Sequence, residues 1–434
     1  MCGILGQISF NKSHPSQYGQ FRHALDLQDH RGPDDSDIYE EKEFIFGHRR
    51  LSIIDLASHA RQPMRSDCGN FILVFNGEIY NYLEIKNELI KKGHSFKTSS
   101  DTEVLLHAFM EYGIDCVQYF IGMFAFCIYD KKAEEYYLVR DRLGVKPLYF
   151  SKDRDKFIFA SEIKSILELD VKKRELDYKA VSSYVSFRYP ILNNTFFKGI
   201  NSLAPAHYIK LTKTDFKIIE YWNVTDKFKE QQNDKGEVYY QTKLAKLLES
   251  SVKYRMISDV PVGAFLSGGV DSSIVTAIMA KNSLKPIKTF TIGFEEKGFN
   301  EFEHANIIVE KYGTEHKEIV LSSKNYIKTM EELISFKDAP LSVPNEVPLY
   351  LMSKELKKYI TVVLSGEGAD EIFGGYGRIF RSPYDFNRMK ELDALNLSVD
   401  EKKEFCINFI RKYLTDSFDG EINHCMNIYS DTAF

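Results

Sequence analysis

The sequence Ser267-Gly-Gly-Val-Asp-Ser-Ser273 gives the clearest indication of how the second half of this chain folds. An apolar run over 262–266 precedes it and a helix-like run over 274–281 follows it, so the pattern predicts a loop between a strand and a helix. Glycines in such a loop let backbone N–H groups close on an anion, and the start of the helix adds a partial positive charge. A phosphate-binding loop is therefore expected.

This loop contains no lysine, and that decides the phosphate chemistry it favours. A Walker A loop needs a lysine that reaches the β and γ phosphates for phosphoryl transfer. Backbone amides and two serine hydroxyls suit a bound pyrophosphate instead, and a carboxylate suits a Mg²⁺ ion that bridges its oxygens. The residues concerned are Ser267, Gly268, Gly269 and Ser272 for pyrophosphate and Asp271 for the ion. The pattern predicts adenylation, in which ATP gives up AMP and releases pyrophosphate; a plain Ser/Gly turn is the alternative.

Length and charge set the broad class of the protein. A chain of 434 residues, 44% of them hydrophobic, predicts two domains with a core each. The formal charge of −5 gives no support to nucleic-acid binding. The apolar runs are far shorter than the roughly 18 residues that a membrane-spanning helix needs, and no signal peptide is visible. We therefore expect neither a nucleic-acid nor a membrane partner.

The six cysteines are too scattered for a disulfide framework, and no pair has the spacing of zinc ligands. A reducing cytoplasm is the expected location. Five of the cysteines are expected to be ordinary packed thiols, and Cys2 is the exception.

The chain changes its pattern near the middle. Before about residue 220, short alternating and apolar runs, such as 44–54, predict an α+β domain with largely antiparallel sheets. A polar stretch at 226–237 is the predicted linker between domains at 1–225 and 238–434.

After the linker, strand-like and helical stretches alternate, which is typical of a doubly wound parallel sheet with ligands beyond the strand ends. The predicted strands are 260–266, 288–294, 316–320 and 360–364, and the predicted helices are 239–255, 273–281, 303–312 and 349–358. A further amphipathic helical pattern starts at Met389.

Cys2 is a candidate nucleophile because of its position. Removal of Met1 would leave a free α-amine beside its thiol, and this amine can act as the general base. An α-amine has a pKa of about 7.8 and is partly neutral near neutral pH, so no histidine is required. Position alone is weak support, since any second residue can be cysteine.

Three further positions describe a pocket for an amino acid with a reactive side-chain amide. The Asn76 amide and the Gly77 N–H can form an oxyanion hole, although Asn-Gly after an apolar run is also an ordinary turn signal. Arg50 can pair with a substrate carboxylate and Asp101 with a substrate ammonium.

With these motifs, the chain resembles the glutamine-hydrolysing asparagine synthetases of the B type, from residue 1 to about residue 376. The resemblance implies a first domain with the αββα sandwich of an N-terminal-nucleophile glutaminase, in which Cys2 is the nucleophile. It also implies glutamine contacts from Arg50, Leu51, Ser52, Ile53, Ile54, Asn76, Gly77, Glu78 and Asp101. The segments 140–149 and 160–164 match family segments as well, and we interpret these as architectural or interdomain.

The resemblance implies a pyrophosphatase-type ATP fold for the second domain. Leu266 and Ile292 match positions that line the nucleotide site, and Ser365-Gly366 match a further ATP contact. Glu367 and Asp370 follow the strand-like run 360–364, at the sheet edge expected for Asp271. Asp271 and Asp370 would share Mg²⁺ ions on the pyrophosphate, and Glu367 would support acyl-adenylate formation. The alternative is that Glu367 and Asp370 only favour the start of a helix.

The implied reaction joins the two halves. Glutamine is cleaved at Cys2 through a thioester, ammonia passes inside the protein, and ATP with Mg²⁺ adenylates aspartate, which ammonia converts to asparagine. The expected partners are glutamine, aspartate or another carboxylate, and ATP, and a homodimer is a candidate assembly. In the family, a helical section with a basic residue and a Ser-Met-Ala/Pro-Phe-Leu-Asp region follows; neither is recognisable before Phe434, so the ATP domain is expected to be C-terminally truncated.

Three alternatives stay open at this point. The fold can amidate another carboxylate, for example a sugar acid. The chain can be a glutaminase whose ligase domain is non-functional and serves only to bind nucleotide or regulate. It can also be an inactive interaction scaffold, which the number of retained site residues disfavours.

Overall fold

The computed structural model describes residues 1–10, 17–170, 174–191, 193–228, 233–295, 300–322, 324, 326–375, 398–401 and 404. Residues 229–232 of the predicted linker, most of the predicted helical pattern from Met389 and the last part of the predicted ATP domain lie outside these residues.

The first half of the chain is built on two six-stranded sheets in which all pairings are antiparallel. The first sheet has the order β10-β8-β9-β1-β3-β2, and the second has the order β12-β11-β7-β6-β5-β4. The strands are β1 (Gly3–Ser9), β2 (Asp35–Glu41), β3 (Phe44–Arg50), β4 (Met64–Arg65), β5 (Phe71–Ile79), β6 (Gly122–Asp130), β7 (Glu135–Arg140), β8 (Tyr149–Lys152), β9 (Lys156–Ala160), β10 (Ile200–Ser202), β11 (His207–Leu211) and β12 (Phe216–Glu220).

Three apolar layers hold these sheets together. The helices of this half are α1 (Tyr18–Asp26), α2 (Tyr82–Lys91), α3 (Asp101–Tyr112), α4 (Ile163–Leu169), α5 (Tyr178–Phe187) and α6 (Thr225–Phe228). Phe46 of the first sheet and Val74 of the second lie in one buried cluster between the sheets. Helices α1 and α4 cover the outer face of the first sheet, and α2 and α3 cover that of the second. The predicted αββα sandwich is confirmed, because each sheet buries apolar residues on both faces.

The second half contains a four-stranded sheet of order β15-β14-β13-β16 in which every pairing is parallel. Its strands are β13 (Val262–Phe265), β14 (Lys288–Phe294), β15 (Glu315–Leu321) and β16 (Val362–Leu364). Its helices are α7 (Glu237–Arg255), α8 (Val270–Lys281), α9 (Phe302–Tyr312), α10 (Tyr326–Lys337), α11 (Glu346–Leu356) and α12 (Ala369–Phe373). Met279 of α8 and Met352 of α11 belong to separate buried clusters, so helices cover both faces of the sheet. This confirms the predicted doubly wound architecture.

The structure decides two points of local structure in the first half. Only the first part of the run 44–54 is extended, because β3 ends at Arg50 and a loop follows. Asn76-Gly77 is not a turn, because both residues lie inside β5 and pair with Ala125 and Phe124 of β6. A long antiparallel partner overrides the local turn preference of the dipeptide.

Within the described ranges, every helix is too short or too polar to cross a lipid bilayer.

Two candidate active sites

The first candidate site surrounds Cys2, at the edge of the first sheet. Cys2 directly precedes β1, whose first residue, Gly3, pairs with Arg49 of β3. The thiol therefore lies beside the chain that leaves β3: its sulfur is 3.4 Å from the backbone nitrogen of Leu51. Sheet pairing thus fixes the position of the candidate nucleophile.

A cavity of about 350 Å³ opens at this thiol, and we call it the cysteine cavity. The predicted residues that line it are Cys2, Arg50, Leu51, Ile53, Ile54, Asn76, Gly77, Glu78 and Asp101. The structure therefore brings together almost all of the residues predicted to contact glutamine. Ser52 instead lines a neighbouring cavity of about 550 Å³, and its backbone N–H donates to Asp34.

Asn76 is the clearest sign that a ligand is expected here. Its side chain is 1% exposed, and neither its Nδ2 nor its Oδ1 has a hydrogen-bond partner among the described residues. Leaving a buried amide unpaired costs about 1–3 kcal/mol, so such groups in native proteins call for an explanation. A substrate oxygen in the cysteine cavity would satisfy the Nδ2 donor.

Gly77 allows the backbone beside Asn76 to approach its partner strand. A Cβ at this position would lie 2.3 Å from the carbonyl oxygen of Met123 and 2.7 Å from the Cα of Phe124. Both contacts are to backbone and cannot relax easily. Only glycine fits here, and Gly77 lines the cysteine cavity.

Arg50 is held by the loop that follows it. Its guanidinium donates to the carbonyl oxygen of Asp55 and, over 3.0 Å, to that of Ala57. Asp55 has a left-handed backbone with a φ of 54°, which turns the chain back around the guanidinium. These contacts orient the fork of N–H donors that a carboxylate would bind.

Asp101 lies at the start of α3, where Ser100 caps the helix by accepting from the N–H of Glu103. Its carboxylate accepts a hydrogen bond of 2.9 Å from the N–H of Ile79. Burial raises the pKa of Asp101 to about 7 in spite of this hydrogen bond, and the charge of Glu78 adds to the increase. An ammonium group in the cavity would stabilise the ionised carboxylate.

Lys146 is a cavity residue that the sequence interpretation missed. It lines the cysteine cavity although its segment was interpreted as architectural, and burial lowers its pKa. Its Nζ lies 3.2 Å from the sulfur of Met1. Burial also lowers the pKa of the Met1 amine to about 5, and the positive charges of Arg31 and Lys146 lower it further. In the sequence, Lys146 lies between a glycine turn and a proline, and nothing in this pattern distinguishes it from a surface lysine.

Arg31 fixes the backbone of Cys2 from the other side. Its Nε donates to the carbonyl oxygen of Cys2 over 3.0 Å, and its Nη1 donates to Glu162 over 3.1 Å. Glu162 also accepts from His30 and Lys164, each over 2.8 Å. The backbone N–H of Lys164 donates over 3.0 Å to Asp338, which belongs to the second half of the chain.

The second candidate site is a cavity of about 340 Å³ beyond the carboxyl ends of β13, β14 and β16, which we call the loop cavity. The predicted residues that line it are Leu266, Ser267, Gly269, Asp271, Ser272, Ile292, Ser365, Gly366, Glu367 and Asp370. Gly268 does not line it, because its backbone lies against His304 and Ala305 of α9. Glu301 and Met352 also line it, and neither belongs to a segment with a phosphate-binding pattern.

The loop between β13 and α8 is held by its own serines. The hydroxyls of Ser267 and Ser272 lie 3.0 Å apart, and the Ser267 hydroxyl accepts from the N–H of Gly269 over 3.3 Å. Gly366 packs directly against this loop, since a Cβ there would lie 2.8 Å from the Cβ of Asp271. The loops after β13 and β16 therefore form one continuous wall.

The donor set at the loop cavity suits a cation only with help from a ligand. Asp271 and Asp370 both line the cavity. Among the residues that the structure describes, no three His, Cys, Asp or Glu side chains are grouped so that they alone could hold a metal ion. Two carboxylates with phosphate oxygens and water are the usual environment of Mg²⁺ in nucleotide sites, so the residues present fit that ion.

A single strand separates the two cavities. Thr361, Val362 and Val363 line the cysteine cavity, while Ser365 and Gly366, just after the same strand, line the loop cavity. β16 and the residues next to it therefore form part of the wall of both cavities.

Comparison with known families matches both halves. Residues 1–222 match the glutamine amidotransferase domain family, and residues 243–416 match the asparagine synthase family. The chain is 36% identical over 396 residues to asparagine synthetase [glutamine-hydrolyzing] 3 of Bacillus subtilis, covering 87% of this chain and 63% of that protein. It is 38% identical over 391 residues to asparagine synthetase [glutamine-hydrolyzing] 1 of the same organism, covering 88% and 60%.

A third relative is covered more fully. The putative asparagine synthetase [glutamine-hydrolyzing] 2 of Methanocaldococcus jannaschii is 38% identical over 400 residues, which cover 87% of this chain and 76% of that protein. The chain spans 63% and 60% of the length of the two Bacillus relatives. From the two matched domains and this relative, the chain belongs to the family of glutamine-hydrolysing asparagine synthetases.

Proposed function

We propose that this chain makes asparagine from aspartate, using ammonia released from glutamine and energy from ATP. The proposal treats 1–225 as a glutaminase domain, 226–237 as a linker and 238–434 as an ATP domain. The observation that carries it is the pair of cavities on either side of β16, one at Cys2 and one at the Ser267–Ser273 loop. One site would release ammonia and the other would consume it.

In the first site, the Cys2 thiolate would attack the side-chain amide carbon of glutamine. The Asn76 amide and the Gly77 N–H would stabilise the oxyanion, which is consistent with the unpaired, buried Asn76 side chain. The C–N bond would then break, with ammonia leaving and a thioester remaining, and water would hydrolyse the thioester to glutamate. Removal of Met1 would free the Cys2 amine as the base, in the place where burial, and after it the charges of Arg31 and Lys146, lower the pKa of the Met1 amine to about 5.

Recognition of glutamine would use both of its charged groups. Arg50 would bind the α-carboxylate and Asp101 the α-ammonium. The residues proposed to complete the pocket are Leu51, Ser52, Ile53, Ile54 and Glu78, all but Ser52 of which line the cysteine cavity.

In the second site, the loop amides and Ser267, Gly268, Gly269 and Ser272 would hold the pyrophosphate of ATP, while Leu266, Ile292, Ser365 and Gly366 would contact the rest of the nucleotide. Asp271 and Asp370 would hold Mg²⁺, which when bound neutralises charge on the phosphates. Glu367 would support attack of the aspartate side-chain carboxylate on the α-phosphate, giving β-aspartyl-AMP and pyrophosphate. Ammonia would then displace AMP.

The proposal extends to location and assembly. Among the described residues, Cys2, Cys68, Cys116 and Cys127 are free thiols, which supports the reducing cytoplasm as the site of action. A homodimer is proposed from the family alone, and the mass of the protein in solution tests it.

ATP–pyrophosphate exchange tests the acceptor. We expect exchange with aspartate and not with other carboxylic acids, including sugar acids, in a matched panel. Exchange with another acid and none with aspartate would assign the site to a different acceptor. No exchange with any acid, together with glutamine hydrolysis, would identify a glutaminase with a non-functional ligase half.

A further inference from the structure

We propose that Asp259, a residue of the second half of the chain, is a positioning residue for glutamine, because it holds the loop over 51–57 that surrounds Arg50. The inference rests on the proposed binding of glutamine in the cysteine cavity. We call this loop the glutamine loop.

Asp259 contacts the glutamine loop in both directions. Its backbone N–H donates to the carbonyl oxygen of Ile53 over 2.9 Å. Its side-chain Oδ2 accepts from the N–H of Asp55 over 2.8 Å. One residue of the ATP half thus holds two alternate residues of the loop, which fixes both the distance and the direction of the backbone between them.

Asp55 is the junction through which this contact reaches the pocket. Its carbonyl oxygen accepts from the guanidinium of Arg50, so the position of the Asp55 backbone sets the position of Arg50. Its carboxylate accepts from the N–H of Ser99 over 2.8 Å, two residues before Asp101. The groups proposed to bind the carboxylate and the ammonium of glutamine are therefore both tied to the residue that Asp259 holds.

The segment that carries Asp259 also leads to the pyrophosphate loop. It lies between the end of α7 and the start of β13, and Ser267 follows eight positions later along the chain. Just before it, Tyr254 donates to Glu84 over 2.9 Å, and the Arg255 guanidinium lies 4.8 Å from the ring centre of Tyr80. The contact is part of the docking of the two halves, and it provides the hydrogen bonds from this segment to the glutamine loop.

Asp259 is exposed, whereas Asp55 is buried. Truncation of Asp259 therefore removes little packing, and its main effect is to leave the N–H of Asp55 without an acceptor. We expect the loop to relax and Arg50 to move with it, which weakens binding of the substrate carboxylate while the fold stays intact.

Calorimetric binding of glutamine to the full chain, carrying Cys2→Ala to prevent turnover, tests this directly. We expect Asp259→Ala to raise the Kd about tenfold, which corresponds to about 1.4 kcal/mol. Asp259→Asn keeps an oxygen acceptor for the Asp55 N–H and is expected to bind within about twofold of the parent chain. Tyr254→Phe, which breaks a domain contact away from the loop, should leave Kd unchanged.

Two results would overturn the proposal. One is unchanged glutamine affinity in Asp259→Ala. The other is an equal loss of affinity in Asp259→Ala and in one of the two comparison variants. An equal loss in Tyr254→Phe would assign the effect to docking of the two halves, and an equal loss in Asp259→Asn would assign it to charge instead of the hydrogen bond. Glutamine hydrolysis is measured separately in the chain that retains Cys2. If glutamine binding depends on Asp259 but glutamine is not cleaved, the proposed function is contradicted and this inference still stands.

Discussion

The thiol sulfur of Cys2 lies 3.4 Å from the backbone nitrogen of Leu51 and 3.6 Å from its carbonyl oxygen. Leu51 directly follows Arg50. The residue whose backbone contacts the candidate nucleophile is therefore the neighbour, along the chain, of the residue proposed to bind the substrate carboxylate. A shift of the glutamine loop would change the distance of both from the substrate. The geometry of the thiol and that of the pocket are therefore coupled.

Replacing Cys2 by alanine should abolish glutamine hydrolysis, by at least about 10³-fold, because the nucleophile is lost. Ammonia-dependent asparagine formation should remain, since the loop cavity does not include this residue. Steady-state assays with each nitrogen source measure both. Cys68→Ala is the matched control, because Cys68 is exposed and lies outside the cavity. Loss of both activities in Cys2→Ala would contradict two separable sites.

Replacing Asn76 by alanine should lower kcat for glutamine hydrolysis about 10²–10³-fold, the usual effect of removing an oxyanion donor. The melting temperature should change little, because the amide has no partner among the described residues to lose. Asn81→Ala gives the opposite pattern, since Asn81 donates to Tyr119 and accepts from Ile121. A large fall in stability without a fall in kcat for Asn76→Ala would exclude the oxyanion role.

Glutamine affinity should depend on pH through Asp101, whose pKa burial raises to about 7. Above this pH the carboxylate is ionised and pairs with the substrate ammonium. Below it the carboxyl group is neutral and cannot form this ion pair. The Kd for glutamine should therefore rise about tenfold from pH 8 to pH 6, measured in a Cys2→Ala background to remove effects on chemistry. Asp101→Asn should bind weakly at both pH values. An equally steep profile in Asp101→Asn would assign the titration to another group.

The elements built on strong local patterns were predictable from the sequence, and those set by distant partners were not. The strand predicted at 288–294 is observed as Lys288–Phe294, because β-branched and aromatic residues such as Thr289, Phe290 and Ile292 favour a strand. The end of β3 at Arg50 does not follow from the run 44–54, since the loop after it is held by Asp259, about 200 positions away in the chain. The segment that contains Lys146 was visible as a family segment, but its burial beside Met1 follows from tertiary packing alone.

Adding a methyl group at Gly366 should damage the loop cavity selectively. A Cβ there would lie 2.8 Å from the Cβ of Asp271 and 2.9 Å from the backbone nitrogen of Ser272, so the pyrophosphate loop must move. We expect Gly366→Ala to reduce ATP–pyrophosphate exchange by at least about tenfold, while glutamine binding is retained. Gly269→Ala is a graded comparison, because its nearest contact is the Ser267 hydroxyl at 3.3 Å and the loss should be smaller. Equal losses would show that the steric contact at Asp271 is not the cause.

Glu162 should contribute stability that depends on pH. Hydrogen bonds from His30 and Lys164 and the charge of Arg31 outweigh the opposing effect of burial and lower the pKa of Glu162 to about 2. A carboxyl whose pKa is lower in the folded state stabilises the fold above its unfolded pKa of about 4.3, and this stability is lost as pH falls toward 2. Glu162→Gln should therefore reduce the free energy of unfolding by up to about 3 kcal/mol at pH 7 and by much less at pH 3.

Thermal or urea unfolding at the two pH values measures the difference. Glu168→Gln is the matched control, because Glu168 lies in α4, the helix that Glu162 directly precedes, and its carboxylate is paired with Arg174, which is exposed, at 3.5 Å; its effect should stay within about 0.5 kcal/mol at either pH. A deficit in Glu162→Gln of the same size at pH 3 and pH 7 would mean that packing or shape, and not the ionised carboxylate, is what Arg31 needs. In that case the hydrogen bond from Arg31 to the Cys2 carbonyl would not depend on charge at Glu162, and Glu162→Gln should leave glutamine hydrolysis unchanged.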